Sequence, residues 1–220
     1  MSALNRPRSL TELVTENLRH RIVAGGFELG SQLSEARIAK ELEVSRTPVR
    51  EAINRLEMEG LLVVEPQRGS FVFNLVPEEL AKLCDARVCL ETAALRHAIE
   101  ESPEALHNSL AACVAQMTTA REAGDDAGYL AQDTVFHQCF FDAADNRFLN
   151  DAYQAIALKM AALRNRLGRH PAHMTKSYLE HQQIVDAVAA RDVEVALDIL
   201  AKHIDRKEGS YWSDAVEPPK

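Results

Sequence analysis

Apolar residues at Leu10, Leu13, Val14, Leu18 and Ile22 recur at the three-to-four spacing of one helix face. Ser9 and Glu12 form an S-x-x-E capping signature at the start of this helix, and Gly25-Gly26 closes it. A short connection, FELGSQL, leads to Ser34, the expected N-cap of a second helix through Leu42. Ser45 stands before a third, SRTPVREAINRLEMEG, which ends at Gly60. Pro48 falls in its first turn, where no intrahelical N–H bond is lost. The following LLVVEPQRGSFVF is two β-branched and aromatic runs around a turn containing Pro66 and Gly69, which predicts a β-hairpin. Three helices followed by a hairpin give a winged helix-turn-helix over residues 1–75.

The segment Asn74–Glu79 reads as a domain boundary, with Pro77 placed to start a helix. Beyond it the pattern is helical: 77–101, 103–123, 126–143, 147–169, 174–190 and 192–208. The interruptions are Ser102-Pro103, Gly124, Ala144-Asp145-Asn146, His170-Pro171 and Arg191-Asp192. Long helices with short connections predict an all-α antiparallel bundle over 76–220, frayed after Trp212. The expected fold class is therefore mainly α, a winged helix-turn-helix joined to a helical bundle.

The chain has 220 residues, enough for two modest cores. No apolar run approaches the roughly 20 residues that span a bilayer, and the N-terminus lacks the apolar stretch of a secretory signal. Both point to a cytoplasmic protein without a membrane partner. Cys84, Cys89, Cys113 and Cys139 have neither CxxC nor zinc-finger spacing and read as small buried thiols. The formal net charge of −8 argues at first against nucleic acid. Its distribution changes the picture, because residues 1–75 carry ten basic and ten acidic side chains. A neutral module binds phosphate if its arginines share a face.

On the third helix Arg46, Arg50 and Asn54 stand at i, i+4 and i+8, away from Val49, Ile53 and Leu56, which can pack against Ile38 and Leu42. Arginine donates two bonds to guanine and asparagine pairs with adenine in the major groove. Thr47 and the helix N-terminal amides suit phosphate. Arg68 beside Gly69 sits where a hairpin tip reaches DNA backbone or minor groove. A solvated charged face has the same spacing.

In the bundle, Asp133 and His137 leave one helix face together. His181 precedes Ile184 and Val185 by three and four residues, and His203 follows Leu200 and Ile199 by the same intervals. One aspartate and three histidines on three helices are thus expected to face the core. A buried carboxylate is costly unless paired, and a divalent cation such as zinc, nickel or manganese resolves the cost. Taken singly, a histidine in such a position more often has a hydrogen-bonded core or surface role than a metal. His20, His97, His107, His170 and His173 have no such pattern.

The run LSEARIAKELEVSRTPVREAINRLEMEGLLVVEPQRGSFV closely resembles the winged-helix signature of the GntR family of bacterial repressors. The resemblance implies DNA binding, with Arg46, Thr47 and Arg50 as operator contacts and Gly69 at the wing tip. Ala36 stands where some relatives carry a DNA-contacting arginine, with Arg37 one position on. Glu43 replaces a common turn glycine, tolerable if its φ is below zero.

The helical half looks like the FCD-type ligand-binding domain of the FadR subfamily. The features that carry it are ARVCLE, DTVFH with the ADNRFL turn, EHQQIVDAVAARD and the closing HI, which cover most of 78–205. In metal-containing members one Asp and three His from these motifs hold the ion, which implies Asp133, His137, His181 and His203 here. Arg87 matches an arginine of the family pattern and becomes the candidate partner of an effector carboxylate, with a salt bridge to Glu91 at i+4 as its bland alternative. Arg164 and Arg166 are weaker candidates. The expectation is a homodimer on double-stranded operator DNA, controlled by a small organic acid at the metal, zinc foremost. The rivals are a regulator with a metal-free effector site and a metalloenzyme carrying a DNA-binding appendage. HExxH is absent and no second carboxylate is obviously placed as a base.

Overall fold

The computed structural model describes residues 8–167 and 170–204; the expected tail after Trp212 and the expected helix ends at 168–169 and 205–208 lie outside them. The chain divides into two compact units, with the division between Asn74 and Leu75.

The first unit begins with α1 (Leu10–Val23). Both bonds of its capping box form: Ser9 Oγ accepts from the Glu12 N–H at 3.2 Å, and the Glu12 carboxylate accepts from the Ser9 N–H at 2.7 Å. Then follow β1 (Gln32–Leu33), α2 (Glu35–Glu41), α3 (Arg46–Met58), β2 (Leu62–Glu65) and β3 (Gly69–Val72). The core is built from Leu18 and Ile22 of α1, Ile38 of α2, Val49, Ala52, Ile53 and Leu56 of α3, and Leu62 and Val72 of the hairpin.

The expected hairpin has a third strand. β1, inside what reads as a plain connection, pairs antiparallel with β3, so the sheet order is β1-β3-β2, with Gln32 opposite Phe71 and Glu65 opposite Gly69. Two residues are too few to display alternation. Other local expectations change too. Ser45 occupies the N-cap position of α3 but its side chain makes no capping bond, and Leu42 is half-buried. Glu43 has φ 55°, not below zero, so the αα turn takes the left-handed conformation with a side chain on it. That conformation costs a non-glycine residue about 1–2 kcal/mol.

The second unit contains α4 (Pro77–Glu101), α5 (Pro103–Ala123), α6 (Asp126–Ala144), α7 (Arg147–Leu167), α8 (Pro171–Ala189) and α9 (Val193–Ile204). Pro77, Pro103 and Pro171 each take the first helical position, where a missing N–H costs nothing. α8 therefore starts at Pro171, three residues before its apolar period becomes visible. α6 is the central helix and packs against α4, α5 and α7. It buries Tyr129, Leu130, Phe136, Phe140 and Phe141 on several sides, as a helix enclosed by neighbours must. α8 packs on α5 and α9, and α9 on α4. Cys84, Cys113 and Cys139 are buried, whereas Cys89 is exposed, contrary to the expectation of four buried thiols. Among the described residues no helix is long and apolar enough to cross a membrane.

Candidate nucleic-acid interface and metal centre

α3 buries Pro48, Val49, Ala52, Ile53 and Leu56, and this leaves Arg46, Thr47, Arg50 and Asn54 exposed on the other side. Arg50 is not idle there. Its Nη2 and Nε donate to the Glu35 carboxylate of α2 at 3.0 and 3.3 Å, and this pairing raises its pKa. Arg37 is exposed, its backbone N–H held by Ser34 Oγ at 3.3 Å. At the wing, the Arg68 N–H donates to Glu65 O at 3.1 Å and closes a turn. The Arg68 side chain ion-pairs with Glu65 and lies over the Phe71 ring. Gly69 follows at φ 111°, and Gln32 Nε2 donates to Arg68 O at 2.7 Å beside it. The wing tip is thus tied to β1, the strand with no sequence signal.

In the second unit α6 supplies Asp133 and His137, α8 supplies His181, and α9 supplies His203. Each offers one ligand atom, and these atoms lie within 4.8 Å of one another. Asp133, His137 and His181 are buried, and the His203 side chain is 6% exposed. Burial comes first among the causes that push His137 well below its usual pKa, followed by Arg87 and Arg164. Burial, then His203, brings His181 down to about 3. For Asp133 burial works upward, but Arg164 and the three imidazoles outweigh it and hold the carboxyl below its ordinary range. Burial thus keeps His137 and His181 neutral at neutral pH beside an ionised Asp133, and imidazole nitrogens with a carboxylate are a donor set suited to a divalent cation.

The hydrogen bonds agree with that chemistry. His181 Nδ1 and Nε2, both buried, have no hydrogen-bond partner, nor does Asp133 Oδ2, although Arg164 Nε lies 2.9 Å from it. His137 Nε2 and His203 Nε2 face each other at 3.3 Å. Buried polar atoms are ordinarily satisfied, so orphaned imidazole nitrogens converging on one carboxylate fit a cation. Phe136 packs on the His181 ring at 4.3 Å between centroids and limits its rotation.

Arg87 combines both roles weighed for it. Its Nε donates to Glu91 Oε1 at 2.5 Å, the i+4 salt bridge, while its Nη2 donates to His137 Nε2 at 2.8 Å. Arg87 also lines a cavity of about 30 Å³ with Tyr129, Asp133, Arg164, His173 and Ser177. Arg164 and His173, ranked low or set aside on sequence, belong to the site. Arg166 instead donates to Ala162 O at 2.8 Å along its own helix. Glu180 bonds to His203 Nδ1 at 2.9 Å. Glu91 had a sequence signal only through its spacing from Arg87, and Glu180 only through its adjacency to His181.

A family model described as "Bacterial regulatory proteins, gntR family" matches residues 10–72, and an FCD domain model matches residues 82–206. The chain belongs to the GntR family, with an FCD domain as its second unit. A GntR-type head makes it a DNA-binding transcriptional regulator. It is 31% identical over 186 residues to the "Probable D-xylose utilization operon transcriptional repressor" of Paenarthrobacter nicotinovorans, covering 83% of this chain and 80% of that one. It is 28% identical over 197 residues to the gluconate operon transcriptional repressor of Bacillus subtilis, covering 87% and 81%. In fold it is similar to E. coli McbR/YncC, with a TM-score of 0.78 at 23% identity over 94% of this chain and 99% of that one. α3 lies within the stretch of this GntR regulator that the gntR model matches, and the Asp-His cluster falls inside its FCD unit.

Proposed function

We propose that this GntR regulator binds operator DNA as a cytoplasmic homodimer, and that a small organic acid held beside a divalent cation controls the binding. The cation sits among Asp133, His137, His181 and His203, with zinc first and nickel or manganese as alternatives. The observation that carries the reading is the convergence of these four donors within 4.8 Å, two of which, Asp133 and His203, line a pocket together with the buried Arg87 and Arg164. Arg87 and Arg164 are matched in charge by the buried Glu91 and Asp133. A divalent cation leaves that balance with two surplus positive charges, which a dicarboxylate offsets fully and a monocarboxylate by half. The cation held by these residues would supply Lewis-acid attraction for a carboxylate oxygen.

Arg87 and Arg164 orient the effector. A cavity of about 30 Å³ is close to the volume of one water molecule, so an effector enters only if the surrounding helices shift. α4 carries Arg87 and begins at Pro77, three residues after the division between the units, so such a shift has a covalent route to the head. There Arg46, Thr47, Arg50 and Asn54 of α3, with Arg37, Arg68 and Gly69, contact the duplex. Two-fold symmetry sets two such helices in successive major grooves.

Metal analysis of the purified protein beside Asp133→Ala and His203→Ala tests the centre, and unchanged metal content in the variants refutes it. A thermal-shift screen of the cation-loaded protein against small mono-, di- and tricarboxylates tests the effector class. A stabilising acid whose effect persists in Arg87→Ala removes Arg87 from the site, and stabilisation by acyl compounds without cation favours a metal-free site instead.

A further inference from the structure

We infer that Glu91 and Glu180 are the outer carboxylates of the metal centre, each holding one imidazole with its Nδ1 proton outward and its Nε2 lone pair toward the cation. This rests on the reading of Asp133, His137, His181 and His203 as metal ligands. The assignment starts from hydrogen-bond roles. Glu91 Oε2 lies 2.7 Å from His137 Nδ1, and an ionised carboxylate only accepts, so Nδ1 carries the proton. From the other side Arg87 Nη2 donates to His137 Nε2 at 2.8 Å, and a guanidinium only donates, so Nε2 is bare. The tautomer of this ring is fixed from both ends. Glu180 Oε2 repeats the arrangement on His203 Nδ1 at 2.9 Å.

With both Nδ1 atoms protonated and the rings neutral, the two Nε2 atoms facing each other at 3.3 Å are both acceptors; Arg87 Nη2 donates to one of them, and a cation among the four donors would satisfy both. Carboxylate partners of this kind orient the ring and raise its basicity as a ligand. The two glutamates come from α4 and α8 and clamp histidines on α6 and α9, so each also ties two helices together. On α8 the adjacent Glu180 and His181 divide the work, one orienting a ligand and the other serving as one. Glu91 has a second task, since its Oε1 holds Arg87. One carboxylate thereby links the proposed effector anchor Arg87 to the proposed metal ligand His137.

The test compares full-length wild type with Glu180→Gln and Glu91→Gln. Cation affinity is read by competition for Zn²⁺ against a chromophoric chelator, thermal stability is read in excess chelator, and histidine tautomers are read by long-range ¹⁵N–¹H NMR. Glu180→Gln is expected to weaken Zn²⁺ binding about 10–100-fold, to leave the melting temperature in chelator nearly unchanged, and to shift the His203 tautomer population. A purely helix-tying role lowers the melting temperature and leaves Zn²⁺ affinity intact, which overturns the inference. So does a His203 Nε2–H tautomer in wild type. Should Glu91→Gln not fold, because Arg87 is buried with it, Glu180→Gln and the wild-type spectrum decide. A wild type that takes up no Zn²⁺ defeats the metal reading itself, while its tautomers still report on the two glutamates.

Discussion

Gly69→Ala is the sharpest probe of the wing. Gly69 has φ 111°, outside the left-handed well that even asparagine tolerates, and a Cβ there meets Gln32 Nε2 at 2.8 Å. The backbone cost is about 1–2 kcal/mol. Gln32 can rotate away, but it then gives up its 2.7 Å bond to Arg68 O, worth about 0.5–1.5 kcal/mol. The sum, about 1.5–3.5 kcal/mol, falls on the whole first unit, because β3 also carries Val72, which is 1% exposed in the core. The hairpin cannot fray without uncovering that side chain. Hydrogen exchange of peptides spanning residues 62–73 should accelerate by about 10–300-fold, since 1.4 kcal/mol is a factor of ten, and operator affinity should fall with it. Gln32→Ala alone loses only the hydrogen bond, so adding Gly69→Ala to it should cost only the backbone part. Wild-type exchange and wild-type operator affinity in Gly69→Ala would refute the account of the wing.

Three other outcomes follow from named residues. Glu43→Gly relieves the φ 55° strain of the αα turn, and after glycine's own entropy cost should stabilise the head by about 0.5–1 kcal/mol; a lower denaturant midpoint contradicts this. Arg50→Ala should weaken operator binding about 5–150-fold at fixed salt, measured by fluorescence anisotropy with the circular dichroism spectrum unchanged; wild-type affinity shows that another face reads the bases. In excess chelator, His181, with its folded pKa lowered to about 3, binds a proton on unfolding whenever the pH is below its ordinary value of about 6.5. Stability should be flat above about pH 7 and fall by about 1.4 kcal/mol per pH unit between pH 6 and 4 from this side chain alone; urea midpoints that do not move between pH 7.5 and 5 refute its burial in neutral form.

The elements that declared themselves in the sequence have a period. α1 and α3 show their buried faces because Leu18, Ile22, Val49, Ile53 and Leu56 repeat at helical intervals, and the six bundle helices are long enough for their patterns to be unmistakable. What stayed hidden is short or backbone-determined. β1 is two residues long, and its reason for being a strand is its partner on β3, 37 and 39 positions away. The conformation of Glu43 is set by how α2 must turn into α3, so a charged side chain there gives no warning of a positive φ. Pro171 resembles a stop signal from one side and a helix start from the other, and only the course of the chain decides between them.

The site divides along the same line. Asp133 and His137 announce themselves because i and i+4 share a face, and the inward register of His181 and His203 follows from their apolar neighbours. The groups that orient those ligands have no such spacing. Glu91 is 46 residues from His137, and Glu180 is 23 residues from His203, so each pair forms only when separate helices are docked. Glu180 adjoins His181 in the sequence, and successive helical residues diverge by about 100°. That divergence is what carries its carboxylate away from the four-donor cluster and onto the back of a different imidazole. A side chain whose task is to orient another need match only the position of its target in space, and that relation has no period along the chain.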